Sequence, residues 1–174
     1  RNDVMSQVSI VRCSDYKPEN VQRAVNEAVG LLGGIGKFVK PGQKVLIKPN
    51  LLSARPPEDG VSTHPEFLRA VIKLVKQTAA RISVGDSPGG FDAINIDEVY
   101  EVTGTKRICQ EEDVELVKFD AVVKIDGLPI AKAVKDADVI INLPKMKTHT
   151  LTILTGAVKN MFGAIVGRYK AHTN

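Results

Sequence analysis

The apolar positions of this chain fall into short β-branched runs separated by longer stretches of helical spacing. The run "VSIVRC" (8–13) predicts a strand. Residues 18–34, "PENVQRAVNEAVGLLGG", place apolar side chains at 21, 24, 25, 28, 29, 31 and 32, which is amphipathic-helix spacing closed by Gly33-Gly34. "KPGQ" (40–43) reads as a turn and "KVLIK" (44–48) as a strand. Residues 63–80 predict the clearest helix. Thr63 is read as its N-cap, Glu66 as the partner in a capping box and Pro65 as a first-turn residue. Phe67, Leu68, Val71, Ile72, Leu74 and Val75 form its buried face. "RISVGD" (81–86) predicts a strand, 96–112 a helix broken at Gly104, and 114–119 another strand. Residues 121–134 carry two apolar runs around Asp126-Gly127, a hairpin signature. "DADVIINL" (136–143) reads as a buried strand and 153–165 as a helix.

Strands therefore alternate with helices. The pattern predicts an α/β fold with a mostly parallel sheet, helices on both faces and one antiparallel hairpin excursion. Residues 5–174 are read as one α/β domain. Arg1–Val4 precede Met5 and are set outside the fold, and "GRYKAHTN" (167–174) reads as a cut end. The loop 49–62 is too long for a simple connector, and loops of that length are often functional.

A chain of 174 residues, 43% hydrophobic and 25% charged, can bury a core and is ordinary globular material. No apolar run approaches the roughly 18 residues of a membrane span, so no membrane partner is expected. No secretory signal pattern opens the chain. Cys13 and Cys109 are far apart and form no CxxC pair, which argues against a disulfide framework and a cysteine zinc site. A ferredoxin-type cluster takes four cysteine ligands, so this chain holds none by itself. A reducing cytoplasm is the expected location.

Charge changes the picture more. The net charge is +4, but residues 139–174 contain five Lys/Arg and no acid, leaving nineteen basic and twenty acidic residues elsewhere. The basicity is local, and a local positive patch suggests an anionic ligand or a nucleic-acid backbone. Three predicted strands end in polar clusters: Lys48-Pro49-Asn50, Asp86-Ser87-Pro88-Gly89-Gly90, and Lys145, Lys147 and His149. In parallel α/β sheets ligands bind outside the carboxyl ends of the strands, so these clusters are expected to meet there. If 144–149 is extended, Lys145, Lys147 and His149 share one face and Met146 and Thr148 the other. Thr155 and Lys159 are expected on one side of the following helix, whose first turn adds N–H donors.

Lys145, Lys147 and Lys159, with Lys48 and Thr155, are thus candidate anion ligands, and Asn50, Ser87 and Asn160 candidate orienting groups. The alternative is that the lysines are solvated loop residues and the threonines caps or turn formers. His64, at a helix start, is expected to be neutral, fit for proton transfer, for a metal, or simply for finishing a turn. Asp86 could hold a cation, orient a lysine or shape a turn. His64, His149 and Asp86 together could hold a divalent metal, with no local spacing such as HExxH in support. His64, His149, Lys147 and Asp86 are the candidate catalytic set. GxGxxG, GxxxxGK[ST] and GxSxG are all absent, and "GLLGGIG" (30–36) is read as a helix cap.

The ordered segments "VLIKPNLL", "THPE", "GDSPGG" and "DVIINLPKMKTHTLTILTGAVKNMFG" closely resemble the family called domain of unknown function 362, from Val8 onward. Its motif positions correspond here to Lys48, Asn50, His64, Asp86, Ser87, Lys145, Lys147, His149, Thr155, Lys159 and Asn160. The resemblance implies redox neighbours, because many members carry a ferredoxin-like cysteine module, and it assigns no catalytic roles. The expected function is binding of an anionic small molecule or cofactor, phosphate or carboxylate, in a redox-associated enzyme. The alternative is a non-catalytic module docking a ferredoxin-like or other electron-transfer partner. Nucleic-acid binding is disfavoured by 5% aromatic content and the lack of a basic helical stripe.

Overall fold

A computed structural model describes residues 6–88, 95–149 and 153–166. In chain order the elements are α1 (Pro18–Gly30), β1 (Lys44–Pro49), α2 (Pro65–Lys76), β2 (Arg81–Val84), α3 (Ile96–Val102), α4 (Thr105–Glu111), β3 (Glu115–Leu116), β4 (Val122–Ile125), β5 (Leu128–Ala131), α5 (Lys132–Asp136), β6 (Val139–Leu143), β7 (Lys147–His149), β8 (Ile153–Thr155) and α6 (Ala157–Met161). Gly89, Gly90, Thr150, Thr152 and the tail 167–174 lie outside the described residues.

The main sheet is parallel with strand order β3-β2-β1-β6. Chain order runs outward from β1 to β2 and β3, then returns to place β6 on the other side of β1. The chain order reverses between β1 and β6, and the carboxyl ends at such a reversal are the usual ligand position in these sheets. The period of two divides the core. Val45, Ile47, Val84 and Leu143 pack with α1, α2 and α4 on one face. Leu46 packs with Phe119, Ala131 and Val166 on the other, where the β4–β5 hairpin and α5 lie.

Most of the predicted elements stand. The break at Gly104 separates α3 from α4, with φ +75° at that glycine. Asp126 and Gly127 both have positive φ, 49° and 83°, as the hairpin turn requires. Three expectations need correction. Residues 8–13 form no strand: Val8 and Ile10 point to solvent, 80% and 90% exposed, and the segment runs past α1, touching it through Ser9 Oγ to the Ala28 carbonyl at 2.7 Å. Residues 153–155 form β8 rather than the start of a helix, pairing antiparallel with β7 in a second hairpin. That leaves α6 one turn long, too short to supply the helix-start donors expected of it. Finally, the N-cap of α2 is His64, not Thr63. Among the described residues no helix is long and apolar enough to cross a membrane.

Candidate functional site

The carboxyl edge is assembled from three strand ends. Lys48 closes β1 at the centre of the sheet, so its side chain reaches the segments after both neighbouring strands. Its Nζ donates to Asp86 Oδ1 at 2.5 Å and to the Asn160 carbonyl at 2.7 Å. The other Asp86 oxygen accepts the Leu51 N–H at 2.9 Å. Lys48 and Asp86 are sealed from solvent, their side chains 0% and 2% exposed. Gly163 forms part of the seal. A Cβ there would sit 2.5 Å from both Lys48 Nζ and Asp86 Oδ1. The Asn160 amide donates to Asn142 Oδ1 at 2.7 Å and to the Lys48 and Pro49 carbonyls at 3.4 and 3.3 Å. α6 is thereby seated on the ends of β1 and β6. Ser87 is buried directly after Asp86.

Thr63 couples the same two strands. Its Oγ1 donates to the Leu143 carbonyl at 2.6 Å and accepts the Asn50 N–H at 2.8 Å. With the hydroxyl engaged, capping passes to His64, whose Nδ1 accepts the Glu66 N–H at 3.2 Å. Glu66 reaches Arg69 instead of completing a capping box. Burial lowers the His64 pKa, with the opposing pull of Glu66 and the added push of Lys145. The imidazole is therefore neutral, as expected, with burial as the leading cause, and Nδ1 is the acceptor and Nε2 the donor. Its ring stacks on Tyr16, centroids 3.7 Å apart and planes 8° from parallel.

The three lysines lie close by. Lys145 Nζ is 3.2 Å from Tyr16 Oη and 5.7 Å from the Tyr16 ring centroid. Lys147 is half-buried in β7 and donates to the Val61 carbonyl. Lys159 Nζ stands 5.5 Å from the Phe162 ring centroid. Burial lowers the Lys147 pKa, the charges of Lys159 and Lys145 lower it further, and Asp86 opposes them. That opposing acid is already held by Lys48 and the Leu51 N–H. The positive charge is therefore crowded and weakly balanced. Asn50 Oδ1 is buried with no hydrogen bond reaching it.

Sequence reasoning placed Lys48, Asn50, His64, Asp86, Ser87, Lys145, Lys147, Lys159 and Asn160 at this edge, and the structure gathers them there. It does not assemble the metal set. Among the described residues no three His, Cys, Asp or Glu side chains are grouped to hold a metal ion. Both Asp86 oxygens and His64 Nδ1 are occupied by N–H donors, while His149 is half-buried opposite Ile153 in the second hairpin. Thr155 does not pair with Lys159 on a helix. It is opposite Lys147 in β8, and its hydroxyl donates to the Lys145 and Lys147 carbonyls at 3.2 and 3.1 Å. Four contributors were missed. Asn142 had a signal, being the one polar residue in "VIINL". Thr63, Tyr16 and Gly163 had none beyond their residue types.

A cleft of about 440 Å³ adjoins the edge, between residues 11–16 and α1. Cys13, Tyr16, Thr63, His64, Phe67 and Lys145 reach its walls. An iron–sulfur cluster does not fit the residues present: it takes four thiolates, and this chain has the exposed Cys13 and the buried Cys109.

Comparison with known proteins adds the family. The chain is 36% identical over 174 residues to a thylakoid-associated protein of Synechocystis, covering 97% of this chain and 53% of that protein. It thus spans about half the length of the curated relative it matches. No solved structure matches it. The family model named Domain of unknown function (DUF362) matches residues 45–174, a span that holds β1, the buried Lys48–Asp86 pair and all three lysines, and the chain belongs to that family.

Proposed function

We propose that this chain binds an anionic small molecule or cofactor, carrying a phosphate or carboxylate, at the carboxyl edge of its sheet. One observation carries the reading: Lys145, Lys147 and Lys159 converge there while the facing acid, Asp86, is committed to Lys48. A bound anion would offset the burial and the lysine repulsion that lower the Lys147 pKa. Asn50, with its unmatched Oδ1, would accept a hydrogen bond from the ligand. Neutral His64, with Nε2 as donor, is the group suited to carry a proton if the site is catalytic. Lys48, Asp86 and Asn160 act as positioning residues by fixing α6.

The test is calorimetric titration with inorganic phosphate and with acetate. Lys147→Ala should weaken binding at least tenfold, roughly 1.4 kcal/mol, while Lys40→Ala, in an exposed turn elsewhere, should leave it unchanged. Unchanged affinity in Lys147→Ala would overturn the proposal.

A second reading is favoured by a different observation. Met146, Ile153, Leu154 and Val158 are 78%, 81%, 60% and 90% exposed on the second hairpin and α6. Exposed apolar side chains beside lysines suit a protein partner, such as a ferredoxin-like or other electron-transfer domain. Charge substitution at Leu154 that abolishes partner binding but spares phosphate binding would favour this second reading.

A further inference from the structure

The cleft beside His64 differs in character from the lysine cluster it adjoins. Its polar end is made by Lys145, Tyr16 and His64. Its helix-side wall is apolar, with Ala24 and Ala28 from α1 and Phe67 from α2, and the N-terminal segment adds Val11 beside the polar Ser14. The small side chains at 24 and 28 are one helical turn apart, so they leave a shallow channel along one face of α1. Asp15 also lines the cleft, and its Oδ1 accepts the Lys17 N–H at 3.0 Å and the Asn20 amide at 2.9 Å, which ties the carboxylate to the start of α1.

We infer that the ligand is amphipathic: a carboxylate at Lys145 beside His64, continued by an apolar chain lying between residues 11–16 and α1. This rests on the anion-binding reading above and specifies its substrate class. Three features support it. The volume of about 440 Å³ lies within the range of small-molecule sites. Lys145 is the one lysine or arginine among the residues lining the cleft. The segment that forms the outer wall belongs to no helix or strand and is held to α1 by the Ser9 contact and by Asp15, so no sheet pairing fixes its distance from the helix.

Cys13 supplies a reporter that needs no activity. It lines the cleft and is exposed, whereas Cys109 is buried in the core. The experiment is alkylation of Cys13 by iodoacetamide in the presence of acetate, butyrate, hexanoate or octanoate, with calorimetry on the same series. The half-protecting concentration should fall at least threefold for each two carbons added, a conservative figure against about fourfold per fully buried methylene. Ala28→Trp and, separately, Val11→Trp should flatten the series by filling the channel, while phosphate affinity stays within twofold. If phosphate and acetate bind in a Lys147-dependent way but affinity is flat from acetate to octanoate, this inference falls and the anion site stands. A chain-length dependence that survives both tryptophan variants overturns it too, since the tail then lies elsewhere. If neither phosphate nor any carboxylate binds, the anion reading itself fails.

Discussion

Gly163 and the Lys48–Asp86 pair beneath it show how much can depend on one hydrogen atom. A methyl group at 163 would meet both charged atoms at 2.5 Å, so Gly163→Ala should destabilise the protein by about 1–3 kcal/mol, read from denaturant midpoints. Removing one charge is worse than crowding both. Asp86→Asn leaves the Lys48 ammonium buried without a counter-ion, and a loss of about 3–5 kcal/mol is expected. The double variant Lys48→Met/Asp86→Asn should be more stable than Asp86→Asn alone, because no uncompensated charge remains; a double variant no better than the single would refute the pair's electrostatic role. His64 carries a pH prediction. Its folded-state pKa is lowered, so as pH falls the unfolded chain takes up the proton first and stability declines from about pH 6.5 downward. His64→Asn, which retains a capping acceptor, should flatten that decline in melts between about pH 7 and pH 5. Lys147, with its lowered pKa, should make phosphate affinity fall with rising pH earlier than an ordinary lysine would, and Lys147→Arg should remove that early fall.

Among the elements, the β4–β5 hairpin takes its turn from local rules. Gly127 has φ +83°, a conformation in which any side chain is strained, so Gly127→Ala should cost about 1 kcal/mol without changing ligand binding. The same locality explains what could be read from the residues. Apolar periodicity revealed α1, α2, β1 and β2, and turn chemistry revealed this hairpin and the break at Gly104, because each signal is contained within its own segment. The second hairpin was not legible: "TILTG" has β-branched residues that fit either state, and its pairing with β7 is settled by partners four to eight residues away. Residues 8–13 misled for a related reason. Their composition suits a strand, but β6 and β3 hold the two edges of the sheet and the segment runs beside α1 instead. At the site, charges announced themselves, whereas the loss of Thr63 as a cap depended on a carbonyl 80 residues away.

For the whole molecule, the two thiols separate local from global motion. Cys13 should react with a thiol reagent at once. Cys109, 1% exposed and with its thiol pushed up to about 12 by burial, should react only through unfolding. Its labelling rate under increasing denaturant therefore reports global stability, and labelling as fast as that of Cys13 in native buffer would contradict the packing of α4 against α2. The seating of α6 has one more consequence, for the order in which the chain assembles. The Lys48 ammonium pairs with Asp86 but finds its second acceptor on residue 160, a separation of 112 positions, and its cover at 163. A growing polypeptide that has emerged only through β6 can align its parallel strands and pair Lys48 with Asp86, yet it leaves that pair open to water. Consolidation of the sheet's centre must wait for the last described turn, so early termination anywhere before Asn160 would leave a species with a wet, open middle and a strong tendency to be recognised as unfinished by proteases and chaperones.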